Sequence, residues 1–302
     1  SVTARNTVIV HRRLARGNEV ELVETNRRGH ATRFAIDAAR RGFDVVVGFG
    51  GDGTLNEVAT GIAGTDVALG VLPGGSTNVF ARSIGMPNDP LAAVELLAGG
   101  IEAGMVRRIG LGRANGRFFC FHTGIGYDAA VVEAVEQRAS LKRWLGHPMF
   151  ITAALTTWFR GYDRHRPHFA VASPDHGDIG DAYFSIVLNT NPYTYLGNRP
   201  FDLSPVATLD DPLVVITFRE LAVGAFLRGV GAALRGGGVA TSESLIEWRD
   251  VTALSVTTLG DEGFPIQLDG DYLGKVDRLD IEHVPDAVDL VYPAEPDSSE
   301  DA

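Results

Sequence analysis

The chain has one cysteine in 302 residues, Cys120, so no internal disulfide can staple it. That is compatible with a reducing, cytoplasmic setting. It has no apolar run approaching the ~20 residues that a membrane-spanning helix needs, which excludes an integral helical membrane protein. Positive charge is scarce: 27 Lys and Arg against 38 Asp and Glu give a formal net charge of −11. Such a balance argues against nucleic acid as a partner and against tight, constitutive docking on anionic lipid. No His/Cys spacing suits zinc, no internal repeat is seen, and no signal-peptide pattern opens the chain. What is present is a 45% hydrophobic composition, enough for a substantial core and about two domains.

Residues 44–56, DVVVGFGGDGTLN, carry the strongest signal. A buried apolar strand runs into a glycine-rich turn and a helix start, where backbone N–H groups can hold phosphate. Gly50, Gly51 and Gly53 lack a Cβ, so phosphate can come close and positive φ costs little. Asp52 sits inside that anion site. A carboxylate repels phosphate unless a metal ion or a substrate proton lies between them, so the local chemistry points to phosphoryl transfer. The order G-G-D-G is neither a Walker A loop nor the dinucleotide spacing G-x-G-x-x-G, and alone it also reads as an ordinary βα turn. A second apolar strand, VALGVL (67–72), ends in Pro73-Gly74-Gly75-Ser76-Thr77-Asn78 and another helix start. Two parallel strands ending in such loops build a crevice at the carboxyl edge of an α/β sheet, where ligands bind. Asn78 can cap the following helix or bond the first loop.

The coarse pattern has two parts. The opening SVTARNTVIVHRRLARG reads as a helix, VELVET (20–25) as a strand, and HATRFAIDAARRG (30–42) as an amphipathic helix stopped by Gly42. DVVVGF and VALGVL read as parallel strands covered on both faces, and Asp89-Pro90 as a capped helix start. After residue 104, strand-like runs dominate at 104–111, 117–122, 168–173, 182–189, 213–218, 244–249, 251–258, 264–269 and 278–283. Helical stretches are expected near 127–138, 147–161 and 220–235. This is an α/β domain followed by a mainly antiparallel β domain, with a disordered acidic tail over 296–302.

In order along the chain, these motifs resemble the diacylglycerol kinase catalytic family, which includes sphingosine, ceramide and bacterial lipid kinases. The family's G-G-D-G-T-x-N-E stands as Gly50-Gly51-Asp52-Gly53-Thr54-Leu55-Asn56-Glu57, and its P-x-G-[TS]-x-N as residues 73–78. The likeness continues through 124–136, 191–205, 207–213 and 266–274. It implies an N-terminal three-layer α/β nucleotide domain of phosphofructokinase/NAD-kinase type, residues 1–103 plus about 285–295. A β-sandwich lipid-substrate domain then covers 104–284, and a final strand near 287–292 returns to the first domain.

The resemblance further implies an ATP-dependent kinase with Mg2+, acting on diacylglycerol or a related lipid alcohol. Its nucleotide contacts fall on Thr25, Gly50, Gly51, Asp52, Gly53, Thr54, Leu55, Asn56 and Ser76. The family's general base is drawn from a D-G-E motif, here Asp269-Gly270-Asp271, which a bare reading takes as a hairpin turn. Asp269 is the expected base, Asp271 a metal or positioning ligand, and Asp52 the rival base. Phosphorylating an alcohol needs such a carboxylate near the hydroxyl, and a metal to neutralise the phosphates. A structural cation site maps to Thr208, Asp211 and Leu213, although Pro212 replaces the family's glycine. Val79 and Gly110 stand where many relatives have Asp. The family's opening strand with its Asn-Pro-x-x-Gly loop has no counterpart here, so the sequence reads as trimmed or as starting further upstream.

A lipid kinase must reach a bilayer. Residues 138–166 mix Arg138, Lys142, Arg143, Arg160, Arg164 and Arg166 with Trp144, Leu145, Phe150, Trp158 and Phe159. That mixture suits peripheral binding to a membrane surface, or else aromatics in a core beneath solvated arginines. The expected partners are a lipid substrate at a membrane and no nucleic acid, with a homodimer as the assembly to consider. Two other readings remain: a kinase of a soluble substrate such as NAD, and a non-catalytic nucleotide- or lipid-binding regulator.

Overall fold

The structure is a computed structural model that describes residues 2–136, 163, 166–220, 231, 232, 235, 236, 238 and 242–294. It divides into two compact units, Ser1–Ile109 with Asp286–Ala302, and Gly110–Pro285.

In the first unit, helix α1 (Ala4–Leu14) is capped by Thr3, whose hydroxyl accepts the Asn6 N–H. Helix α2 (His30–Arg41) ends at Gly42, which takes the left-handed conformation that favours glycine. Strands β1 (Val45–Gly50) and β2 (Ala68–Pro73) pair in parallel, Val45 opposite Ala68. Each leads through a loop into a helix, α3 (Asp52–Ile62) after β1 and α4 (Val79–Ser83) after β2. Helix α5 (Pro90–Glu102) starts on Asp89, whose carboxylate accepts the Leu91 and Ala92 N–H groups.

Two glycines show how the layers form. A Cβ on Gly48 would meet Leu55 and Val58 of α3, whereas one on Gly70, opposite Val47, would meet Leu97 of α5. Successive residues of a strand point to opposite faces. The two helices therefore cover opposite faces of the sheet, giving three layers. Helices α2 and α3 cross closely, because Gly61 leaves the space that Ala35 and the Thr32 carbonyl fill.

One expected element does not form. Residues 20–25 are not a strand, and Leu22 and Val23 lie exposed. Strand propensity reflects packing against neighbours, and β1, the end strand of its sheet, pairs only with β2 among the described residues.

Strand β3 (Val106–Ala114) carries the chain into the second unit, where β4 (Arg117–Phe119) pairs back on it. Then come β5 (His122–Gly126), α6 (Tyr127–Glu136), β6 (Phe169–Ser173), β7 (Gly177–Ala182) and β8 (Phe184–Leu188). The short pair β9 (Thr194–Leu196) and β10 (Arg199–Phe201) precedes β11 (Leu213–Phe218), β12 (Leu245–Val251) and β13 (Ala253–Thr258). The hairpin β14 (Phe264–Leu268) and β15 (Asp271–Val276) is followed by β16 (Arg278–Val291). The runs expected at 278–283 and near 287–292 are thus one 14-residue strand. Its end lies in the first unit, parallel to β2 with Asp289 opposite Ala68. The expected helices at 147–161 and 220–235 lie outside the described residues, apart from Glu220, Gly231, Ala232 and Arg235.

Within the second unit, one sheet runs β16-β13-β6-β7 and a six-stranded antiparallel sheet runs β12-β11-β8-β5-β14-β15. Phe119, Ile125, Phe169, Val187, Val215, Val256, Phe264 and Ile281 form the core of this sandwich. The other face of the six-stranded sheet carries a second cluster, in which Tyr127 and Val131 of α6 pack on Phe184, Ile186, Leu188 and Ile216. Strands β5, β8 and β11 are therefore buried on both faces.

Candidate functional site

The two glycine loops of the first unit are packed backbone to backbone. The Gly74 N–H donates to the Gly50 carbonyl at 2.7 Å. A Cβ on Gly74 would lie 2.8 Å from the Gly50 Cα, and one on Gly75 would lie 2.8 Å from the Gly51 Cα. The glycines at 50, 74 and 75 thus keep room for the loops and the start of α3 to meet, with Gly50 facing Thr54. No glycine of the first loop has positive φ; the left-handed residue is Asn78, at φ 50°. Its side chain binds within its own loop, accepting the Gly75 N–H at 2.8 Å, and donates to Asn88 at 2.7 Å.

Asp52 takes over the capping that Asn78 leaves undone. Its two oxygens accept the Val79 and Phe80 N–H groups, each at 3.0 Å. Burial pushes its carboxyl up from the ordinary range, and the amides of Phe80 and Val79 pull it back. Glu57, at the end of the same motif, caps α2 by accepting the Gly29 and Ala31 N–H groups at 2.8 and 3.0 Å. Both acidic residues of the first motif therefore join helices that are distant in sequence. Helix α3 itself starts at Gly51 without a side-chain cap, which suits an anionic phosphate at that end. Gly51, Gly53 and Thr54 are half-buried and Ser76 is exposed, so all are open to a ligand. Leu55 is fully buried and can offer only its backbone. Asn56 is half-buried on α3, and Thr25 is exposed on the non-strand segment described above.

In the second unit, Asp269 and Gly270 are the two central residues of the β14–β15 turn, with φ of 47° and 82°. That is the geometry of a two-residue hairpin turn with Asp-Gly at its centre. Asp269 is buried, and its carboxylate accepts the backbone N–H groups of Cys120 (2.6 Å), Phe121 (3.0 Å) and His122 (3.2 Å). Its own N–H donates to the His122 carbonyl at 2.9 Å. A carboxylate has about four acceptor sites, and three here serve the 120–122 backbone. Asp271, two residues on, is half-buried. The turn fixes Asp269 as an anchor and presents Asp271 beside it.

A polar cluster lies under this turn. The Gln267 side chain donates to Asp128 and accepts the Gly270 N–H, both at 2.8 Å. Tyr193 donates its hydroxyl to the other Asp128 oxygen. Burial pushes the Asp128 carboxyl up while these two donors pull it down. The buried His122 ring packs 4.5 Å from Tyr193, and burial lowers its pKa to about 3. Sequence reasoning passed over Glu57, Asp128, Tyr193 and Gln267. The readable signals were the motif's terminal Glu and a polar residue inside the apolar run FPIQL.

The residues expected to hold a cation, Thr208, Asp211 and Leu213, lie at the turn that enters β11. The Thr208 hydroxyl donates to Asp211 at 2.7 Å, and the Thr208 carbonyl accepts the Asp211 N–H at 3.4 Å. Leu213 is a buried residue of β11. Among the described residues, no three His, Cys, Asp or Glu side chains gather as metal ligands. Mg2+ is commonly held by one or two carboxylates plus substrate phosphates. Val79 is a buried residue of α4. At Gly110 a Cβ would collide with Nε2 of His283, whose imidazole fills the space an Asp side chain would need. Of the basic stretch 138–166, only Asp163 and Arg166 are described, ion-paired at 2.9 Å. Among the described residues, no helix is long and apolar enough to cross a membrane.

A parallel α/β unit with paired glycine loops, joined to an antiparallel sandwich, is the fold of diacylglycerol kinases and NAD kinases. A crystal structure of a diacylglycerol kinase from Bacillus anthracis str. Sterne superposes with a TM-score of 0.67 at 19% identity, over 95% of this chain and 90% of that one. An NAD kinase from Archaeoglobus fulgidus, solved with ATP, gives a TM-score of 0.51 at 12% identity, over 96% and 90% of the two chains. The sequence profile of the diacylglycerol kinase catalytic domain matches residues 4–113. A protein named "Probable lipid kinase YegS-like" from Pseudomonas aeruginosa (strain UCBPP-PA14) is 31% identical over 259 residues, 85% of this chain and 80% of its own length. Diacylglycerol kinase of Bacillus subtilis (strain 168) is 42% identical over 113 residues, 36% of each chain. The chain belongs to this diacylglycerol kinase family, a family of kinases.

Proposed function

We propose that this chain is an ATP-dependent lipid kinase, moving the γ-phosphoryl group of ATP to the hydroxyl of diacylglycerol or a related lipid alcohol. The observation that carries the reading is the turn at 269–271. A carboxylate anchored by three backbone amides fixes a second, half-buried carboxylate two residues away. Asp271 then accepts the proton of the lipid hydroxyl as its oxygen bonds to the γ-phosphorus. The bond from phosphorus to the bridging oxygen breaks, and ADP leaves with that oxygen. Asp269, the base expected from the motif, is read instead as a positioning residue because its carboxylate already serves three backbone amides, and Asp52 holds the two glycine loops in register for the polyphosphate. Gly51, Gly53, Thr54, Asn56 and Ser76 offer the phosphate contacts, and Thr25 is a further nucleotide contact. Bound Mg2+ would supply charge neutralisation on the β- and γ-phosphates. The lipid is met at a membrane surface through the basic and aromatic residues of 138–166.

The test is turnover of γ-labelled ATP with three acceptors: a short-chain diacylglycerol and a sphingoid base in micelles, and NAD in solution. Label in the lipid phase is the expected result. Label on NAD favours the soluble-substrate reading, and ATP binding without any transfer favours the regulator.

A further inference from the structure

We propose that Asp128 is a positioning residue for this reaction, setting the 269–271 turn through the Gln267 side chain. The proposal rests on the reading that Asp271 works on the acceptor hydroxyl. A glutamine amide has two unlike ends, Nε2 that only donates and Oε1 that only accepts. Nε2 donates to Asp128 and Oε1 accepts the Gly270 N–H. A carboxylate accepts only, so Asp128 dictates which end of the amide faces the turn. With Asp128 replaced by a donor, Oε1 would be drawn away from Gly270.

The turn needs this second hold. Asp269 has positive φ, which is uncommon for a residue with a side chain. The carboxylate of Asp269 ties the first residue of the turn to the 120–122 backbone, and Gln267 ties the second. Asp271 leaves the turn directly after that second residue, so its direction follows the Gly270 peptide.

Asp128 occupies a costly place. It is buried at the start of α6, and its donors from Gln267 and Tyr193 are both neutral. Burying a carboxylate this way costs free energy that hydrogen bonds only partly return. The chain also reserves the space for it, since a Cβ on Gly124 would collide with Asp128 Oδ2. A fully bonded buried network fixes a single geometry, and this one reaches the surface at the Gly270 turn.

The experiment compares Gln267→Glu with the double variant Asp128→Asn/Gln267→Glu. The single variant sets two carboxylates face to face. The double variant restores the relay with roles exchanged. The new asparagine amide at position 128 donates to the new glutamate carboxylate at position 267, whose other oxygen accepts the Gly270 N–H. The single variant should lose about 100-fold in kcat with the KM for ATP unchanged, the size expected when a reacting group is misplaced by about an ångström. Hydrogen exchange at the Gly270 amide should quicken. In the double variant both kcat and protection should return. Restored protection without restored kcat would overturn the positioning role, and unchanged protection in Gln267→Glu would overturn the relay. Exchange needs no substrate, so a failed relay is distinguishable from a wild-type chain that makes no lipid product, which would overturn the lipid kinase reading.

Discussion

At Asp52 and Asp269 the carboxylates that the motifs advertise are spent largely on backbone amides. Their residue types and positions were legible in the sequence; their partners were not, because those lie 27 to 149 residues away in the chain. Asp52→Asn keeps the shape but offers one acceptor and one donor to two N–H groups. One amide of α4 is left facing a donor, so stability should fall by about 1–2 kcal/mol, read by urea unfolding. ATP affinity should fall with it. His122 gives a pH prediction. Its pKa of about 3 lies below the ~6.5 of a free histidine. The unfolded chain therefore binds a proton that the folded chain refuses. Stability from this group is full above pH ~6.5 and is lost as pH falls toward about 3. His122→Phe should flatten the fall in denaturation midpoint between about pH 7 and pH 4, and an unchanged slope would contradict the assignment.

Among the elements, those with strong local signals came through. Gly42 stops α2, Asp89-Pro90 starts α5, and the apolar runs in β1, β2, β8 and β11 are strands. The strand expected at 20–25 fails because an alternating apolar pattern does not provide a partner. The doubly buried antiparallel strands blur a rule from the other side: FSIVL and LVVITF read like parallel-sheet strands because α6 and the facing sheet cover both faces. Glycine was legible as a loop marker, but its physical use differs from the first expectation, since loop meets loop where phosphate approach and positive φ were foreseen. Gly75→Ala sets a methyl against the Gly51 backbone, which cannot move aside as a side chain would. It should cost about 1–3 kcal/mol and weaken ATP binding by calorimetry. Glu57→Ala uncaps α2 and should cost about 0.5–2 kcal/mol, with helix α2 amides losing exchange protection first.

For the whole molecule, the ordered series of motifs carried family and fold class further than composition could. A net charge of −11 and a single cysteine named no reaction. In the proposed reaction this chain phosphorylates a lipid hydroxyl with a carboxylate held at the 269–271 turn. Mass spectrometry of products from ATP and dioctanoylglycerol, run on the wild-type chain and on Asp271→Asn, tests it most directly. The wild type should form dioctanoyl phosphatidic acid, and the variant should form it about 100- to 10,000-fold more slowly, the range for loss of a general base. A wild type that yields no lipid phosphate, or a variant as fast as the wild type, would contradict it.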